Sequence, residues 1–186
     1  MFARTLTRMK AFRRFVKARR GSAAVEFAIV AMPFFLLTIG LAEISMIGFA
    51  QTSLDFAVSE TARQIRTGQA QMGGVNEQQI NAQLCTELNR FVVLSCNGNL
   101  FLDVDRFNSF VDADNGANNP IQNNQFQQTG FGYTPGAPSD IVVVRAYYRW
   151  EIMTPLFERV FENVTGGERI LVSTMMFRNE PYQAAP

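Results

Sequence analysis

The sequence predicts an α+β protein in which a long N-terminal helix precedes a small head that contains an antiparallel sheet. An apolar run of membrane length begins at Phe27, and two stretches near the C-terminus are dense in β-branched and aromatic residues. The roughly 110 residues beyond Gly74 suffice for one compact core but not for two. These observations favour a single head domain, residues 69–186, carried on one helix.

The apolar run sets the length of the helix. Phe27 to Ala42 is 16 residues, about 24 Å as a helix, which is shorter than a hydrocarbon core of about 30 Å. Extension to Ala50 gives 24 residues and about 36 Å. Apolar residues continue at helical spacing to Ile65. We therefore predict one helix from about residue 23 to residue 67, with 22–50 crossing the membrane and 51–68 continuing outside it.

The stripe on the outer half of this helix is predicted from residues that step by three and four. It consists of Ile44, Ile47, Gln51, Leu54, Val58, Thr61 and Ile65. Pro33 is expected to kink or loosen the membrane half, because it removes one backbone hydrogen bond. Gly68 is expected to end the helix, since glycine readily takes the left-handed conformation of a helix stop.

The first 20 residues contain eight of the 17 basic residues of the chain and no acidic residue. The part beyond residue 21 carries a formal net charge of −7. By the positive-inside rule, the N-terminus stays cytoplasmic and the head lies outside the cytoplasm. The basic arm adjoins a membrane segment and has few interleaved aromatic residues, so membrane lipid, and not nucleic acid, is the predicted partner.

Glu26 stands at the mouth of the apolar run. A charged residue at bilayer depth costs about 2.5 kcal/mol or more, so this carboxylate calls for a partner. A cut after Gly21 would make Ser22 the N-terminus and place a new α-amino group one helical turn from Glu26, on its own chain or on a neighbouring chain. The pattern therefore predicts a processing site at Gly21–Ser22.

A basic leader, a glycine, four small or apolar residues, Glu26, Phe27 and an apolar helix together resemble the signature of type IV prepilins. The short leader and the Glu26–Phe27 pair are most similar to TadE-like pseudopilins of the tight adherence pilus, a type IVb pilus. The segments Asp140 to Leu156 and Arg178 to Tyr182 also resemble segments of those proteins.

The resemblance implies a pilin-like fold and a structural role as a minor pilin or pseudopilin. It implies that a prepilin peptidase removes residues 1–21 at the cytoplasmic face of the bacterial inner membrane. The mature helix would then enter a pilus or its assembly platform, with Glu26 and Phe27 as assembly residues and other pilins as partners.

Three alternatives remain open at this stage. The first is an ordinary signal anchor in which Glu26 is accidental. The apolar run is also consistent with a secretory signal peptide, cleaved at the small-x-small sequence Gly40–Leu41–Ala42. The third alternative is a single-pass, membrane-anchored binding or adhesin module that is not incorporated into a filament.

Glu43 is a second carboxylate inside the predicted span. If the helix crosses the membrane as far as Ala50, this side chain lies in the outer part of the hydrocarbon core and must snorkel, take up a proton or find a partner. We predict that it makes an assembly contact.

The head is predicted to begin with a helix and to continue as strands. Asn76 and Gln79 form a capping-box pattern ahead of Ile80, Leu84 and Leu88, which fall at helical spacing. Strands are predicted at 100–107, 140–150 and 170–177. The Asn- and Gln-rich segment 108–139 is predicted to be a flexible loop that serves as a contact surface or merely as a solvated connection.

Cys85 and Cys96 are the only cysteines, and the head is predicted to lie outside the cytoplasm, so a disulfide between them is expected. Buried free thiols are the alternative. No metal site is predicted, because two cysteines without any histidine do not make a tetrahedral zinc site.

No catalytic constellation is predicted. The chain has no histidine and no lysine beyond Lys17, and Asp103 with Asp105, the one close carboxylate pair on a strand, is interpreted as part of a solvated face. Asp112, Asp114 and Gly116 only partly match a calcium loop, because Asn123 stands where a bidentate glutamate belongs. We therefore predict no enzyme activity and no cofactor.

Overall fold

The computed structural model describes residues 22–90, 94–96, 98–116 and 119–182. It confirms the α+β class: a long apolar helix is followed by a small head with an antiparallel sheet. The chain divides into two compact units, residues 1–42 and residues 43–186. The basic leader, including Gly21, lies outside the described residues.

The N-terminal helix α1, Ser22–Arg66, is 45 residues long and contains Pro33 without interruption. Hydroxyl side chains on it donate to the carbonyl one turn back, as Thr61 Oγ1 does to the Ala57 oxygen at 2.9 Å, so they add no unpaired polar group. Gly68 follows with a φ of 77°, and its N–H donates to the Ile65 carbonyl at 3.0 Å. The predicted extent of the helix and its glycine stop are confirmed.

The buried stripe of α1 begins at a different residue from the one predicted. Leu54, Val58 and Ile65 are fully buried, as expected, whereas Ile44 is 51% exposed. Glu43 is buried in its place, at 3% exposure. The stripe therefore starts on a charged residue, which hydrophobicity alone does not place in a core.

Two further helices precede the sheet, α2 at Gln69–Met72 and α3 at Glu77–Leu88. The predicted capping box is present: Asn76 Oδ1 accepts from the Gln79 N–H, and Gln79 Oε1 accepts from the Asn76 N–H, both at 2.9 Å. These two bonds satisfy backbone donors at the start of α3. Its apolar stripe, predicted at residues 80, 84 and 88, is fully buried.

Within the described part of the chain, five strands follow in order. They are β1 (Leu100–Phe107), β2 (Ile121–Gln122), β3 (Gln125–Phe126), β4 (Ile141–Glu151) and β5 (Glu168–Arg178). The main sheet has the order β1-β4-β5, is antiparallel throughout, and pairs Leu102 with Ala146 and Ala146 with Ser173. β2 and β3 form a separate small hairpin.

Short helical turns fill two of the connections. Helix α4, Phe110–Asn115, follows β1, while a 3-10 turn at Pro155–Phe157 and helix α5 at Glu158–Phe161 lie between β4 and β5.

Strand β4 is buried on both faces, as a central strand should be. Its residues Val142, Val144, Ala146, Tyr148 and Trp150 join the main core with the outer half of α1, α3 and β1. On the opposite face, Tyr147 packs against Phe126 and Phe131, with ring centroids 5.8 and 5.1 Å apart. The face predicted from alternation is confirmed, and the second face is covered by the segment 108–139.

The segment 108–139 holds α4, β2 and β3, and it also pairs with the outer edge of β1. The Val104 N–H donates to the Gly132 carbonyl at 2.8 Å, and the Thr134 N–H donates to the Val104 carbonyl at 2.7 Å. Covering an edge strand in this way protects it from pairing with another chain. The segment therefore shields both a face and an edge of the sheet.

Candidate assembly and membrane site

Residues 23–42 present apolar side chains on all sides of α1. Phe27, Ile29, Val30, Met32 and Leu37 are each about 70% exposed. The most apolar stretch of α1 has a mean hydropathy of 2.1 and is 11% buried, so by length and composition it is a candidate membrane span. A core helix of a soluble protein would be mostly buried, so this surface suits lipid or other apolar helices.

Glu26 and Phe27 both lie on this surface. Phe27 is 71% exposed, and the Glu26 side chain is also exposed on the helix. Ser22 is the first residue of α1, one turn before Glu26, while the other half of the predicted cleavage site, Gly21, lies outside the described residues. A helix that begins at Ser22 brings its N-terminus and the Glu26 carboxylate to the same end.

Glu43 is bound inside the head. Its Oε1 accepts the Met153 backbone N–H at 3.0 Å, and its Oε2 accepts the Thr154 hydroxyl at 2.8 Å. Met153 and Thr154 directly follow the end of β4 and the buried Ile152. The carboxylate therefore joins helix α1 to the end of the central strand.

This geometry bears on the predicted assembly role of Glu43. A carboxylate that is 3% exposed and accepts two hydrogen bonds from its own chain is not displayed to a neighbouring subunit. Both of its oxygens are used within the head. The structure gives Glu43 an intramolecular role that the sequence did not indicate, because its partners lie 110 and 111 residues away.

A charged cluster on the sheet overturns the interpretation of Asp103 and Asp105 as a solvated face. The Asp103 side chain is fully buried, and Arg145 Nη1 lies 3.4 Å from a carboxylate oxygen of each aspartate. Asp103 Oδ1 also accepts the Gly132 N–H at 3.1 Å. The interpretation was wrong because the segment 108–139 packs over this face, and its sequence gives no periodic signal of doing so.

Burial raises the pKa of the Asp105 carboxyl above its ordinary value. The negative charge of Asp103 raises this pKa further, while the guanidinium of Arg145 opposes both effects. Asp105 is the more exposed of the two carboxylates, at 31% of its side chain. The cluster therefore holds two acids against one base in a partly desolvated site.

The C-terminal segment, residues 178–182, is hydrogen-bonded to other parts of the head. Asn179 is 2% exposed, and its Nδ2 donates to the Pro135 carbonyl at 2.9 Å and to the Ala137 carbonyl at 3.0 Å. The Glu180 N–H donates to the Arg66 carbonyl at the end of α1, at 2.8 Å. These bonds tie the end of β5 to the helix and to the segment 108–139.

The predicted disulfide is present between Cys85 of α3 and Cys96, with Cα atoms 5.8 Å apart. It joins α3 to the chain just before β1. Among the described residues, no group of three or more Cys, Asp or Glu side chains is arranged to hold a metal ion. The calcium ligands considered from sequence, Asp112 and Asp114, lie in or beside the short helix α4.

Comparison with known proteins identifies the N-terminal segment. Residues 21–63 match the sequence model of the family described as TadE-like protein. No curated protein and no solved structure gives a significant match to the chain. The matched range contains Glu26, Phe27 and Glu43 and ends before the sheet, so the segments at 140–156 and 178–182 lie outside it. The resemblance predicted from Gly21 to Phe27 is confirmed: residues 21–63 of this chain are similar to TadE-like proteins.

Proposed function

We propose that the protein is a minor pilin or pseudopilin that takes part in assembly of a tight adherence type IVb pilus. In this proposal a prepilin peptidase cuts between Gly21 and Ser22, and the apolar half of α1 enters a bundle of pilin helices. The basic leader keeps the N-terminus cytoplasmic, so the head lies on the outer side of the inner membrane. From there it contacts partner pilins and the assembly platform.

One observation carries the proposal: within the segment that matches TadE-like proteins, the helix surface is apolar on all sides but includes an exposed carboxylate at Glu26. A carboxylate in an apolar helix bundle is stabilised by an opposite charge. The α-amino group of a processed neighbour supplies that charge and sets the register between subunits. TadE-like proteins form a structural family, which favours this role over catalysis.

The alternative is a single-pass anchor that carries a binding or adhesin module and never enters a filament. Its span and its folded head would be the same, and only the role of Glu26 separates it from the pilin. Substitution of this residue therefore distinguishes the two functions.

The test is Glu26→Gln, which removes the charge and keeps the size. Glu77→Gln is the matched control, because Glu77 is an exposed carboxylate in the first turn of α3. We expect Glu26→Gln to lose most of its incorporation into pili, whereas cleavage and the Cys85–Cys96 disulfide remain normal. Pili in the sheared fraction are quantified, and the protein in the membrane fraction is analysed by mass. Piliation equal to that of Glu77→Gln would overturn the pilin proposal and favour the anchor.

A further inference from the structure

The connection between β4 and β5 carries apolar side chains that the head does not cover. Met153, Leu156 and Val160 are 55%, 63% and 69% exposed. They lie around the 3-10 turn and the short helix α5, and we call these three residues the apolar foot. A cluster of exposed apolar residues on a small domain commonly marks a contact surface.

The apolar foot lies at the end of the head where α1 enters it. Glu43, the first residue of the second unit, holds the Met153 N–H and the Thr154 hydroxyl. The other end of the sheet is fixed to the opposite end of the helix, because the Glu180 N–H donates to the Arg66 carbonyl. Strand β4 therefore runs toward Glu43. The connection between β4 and β5, which carries the apolar foot, lies at the same end of the head as Glu43.

The length of the membrane segment places this end at the bilayer surface. Residues 22–42 are 21 residues, about 32 Å of helix, which crosses a hydrocarbon core of about 30 Å. Glu43 then stands where the hydrocarbon gives way to headgroups. We propose that the apolar foot inserts into the headgroup layer of the membrane that α1 crosses, as a second membrane contact. The inference rests on the membrane span of the proposed function but not on incorporation into a pilus.

The foot is flanked by charges of both signs: Glu151 and Arg159 are exposed, whereas Glu158 and Glu162 are half-buried. Glu162 Oε2 accepts the Gly167 N–H at 3.0 Å and so is engaged within the head. Arg159 is exposed on α5 between Leu156 and Val160. A cation beside exposed apolar side chains is the combination that binds lipid phosphates and the upper acyl chains together.

Trp150 belongs to the core and lies beside the foot. Its side chain lines a pocket with Met46 and Met153, and it is 6% exposed. Its indole Nε1 has no hydrogen-bond partner among the described residues. Met46 is one helical turn beyond Glu43, about 5 Å along the axis, which is still within the headgroup layer. The pocket therefore lies at the level of the headgroups, and its wall includes Met153 of the foot.

The position of the apolar foot near Glu43 favours membrane lipid as the molecule that covers it. Glu43, which directly follows the membrane segment in the chain, is hydrogen-bonded to the start of the foot connection, and this link needs no assembly partner. A neighbouring subunit is present only in an assembled complex. The bilayer is therefore the apolar environment that is available to the foot whether or not the protein is assembled.

The test uses two single cysteine variants of the full chain, Val160→Cys and Val111→Cys. The two valines are 69% and 68% exposed. Val111 lies in α4 at the other end of the sheet, where the neighbouring Phe110 contacts the Arg178 guanidinium, 5.9 Å from its ring centroid. Each variant, with the native disulfide intact, is labelled with a nitroxide and reconstituted in phosphatidylethanolamine–phosphatidylglycerol bilayers. Collision with oxygen, which concentrates in lipid, is compared with collision with a water-soluble nickel complex.

We expect the oxygen-to-nickel ratio to be several-fold higher at residue 160 than at residue 111. If the labels at residues 160 and 111 are equally accessible to nickel and the protein resists carbonate extraction, insertion of the apolar foot is overturned. The membrane span would then still stand. A label at residue 160 that is shielded from both reagents would also overturn it, in favour of a protein neighbour. Complete extraction by carbonate would overturn the membrane span itself, and with it the foot.

Discussion

Arg145 lies on the central strand with 5% of its side chain exposed, and its guanidinium reaches carboxylates at Asp103 and Asp105. The neighbouring pair Arg106–Asp140 has the same N–O distance, 3.4 Å, but the Arg106 side chain is 49% exposed. Two ion pairs of equal length on one sheet thus differ mainly in their access to water. Desolvation, and not distance, should decide what each contributes to stability.

We predict that Arg145→Met destabilises the head by about 3–5 kcal/mol, because it leaves the buried Asp103 carboxylate without its cation. The matched change Arg106→Met should cost about 0–1 kcal/mol, as for other exposed pairs. Thermal unfolding of the full chain in detergent measures both. Equal losses from the two changes would contradict the assignment of a buried charge to the sheet.

The raised pKa of Asp105 predicts a pH dependence of stability. Because the folded-state pKa lies above the unfolded one, the contribution of this carboxyl to stability is complete below its ordinary pKa of about 4. That contribution is lost as the pH rises through the folded-state pKa. Asp105→Asn removes the titration, so the melting temperature of the wild type relative to this variant should fall from pH 3 to pH 7. A constant or rising difference would contradict the raised pKa.

At the scale of elements, helix α1 and the three strands of the main sheet lie where the sequence predicts them. The prediction succeeds because local signals define these elements: the apolar stripe of α1, the glycine at residue 68, the capping box at Asn76, and the alternation in β1. The segment 108–139 could be predicted only as a loop. Its contacts are long-range, and residues such as Phe126 and Phe131 fall into no period.

The contact between α1 and the end of β4 has the same long-range character and depends on Glu43. The sequence showed that its carboxylate needed a partner, but not which one. The partners are a backbone N–H and a hydroxyl in a turn, and neither has a distinctive sequence pattern.

We predict that Glu43→Leu and Thr154→Val each destabilise the head by about 1–3 kcal/mol: the first leaves the Met153 N–H and the Thr154 hydroxyl without their acceptor, and the second leaves Glu43 Oε2 without its donor. The double variant should lose less than the sum, because the two changes remove the same bond. Glu151→Gln, at the exposed end of β4, is the control and should be close to neutral. Unfolding in detergent is the measurement, and strict additivity would argue against the bond.

At the scale of the whole molecule, the chain combines an apolar segment, residues 22–42, with a head that begins at Glu43. The sequence predicted both parts and their order. It placed the end of the membrane segment near Ala50, and the second unit begins seven residues earlier, at Glu43. The signal-peptide alternative would cut the chain at the same place, after Ala42, so its outcome must be separated from prepilin processing by experiment.

The central claim is that the protein is processed after Gly21 and retained in the membrane by the helix that begins at Ser22. The most direct measurement is the intact mass and N-terminal residue of the protein recovered from its native membranes. The account predicts a chain that begins at Ser22. A chain that begins at Met1 would contradict processing and leave an uncleaved anchor, and one that begins at Glu43 would make the protein a secreted head.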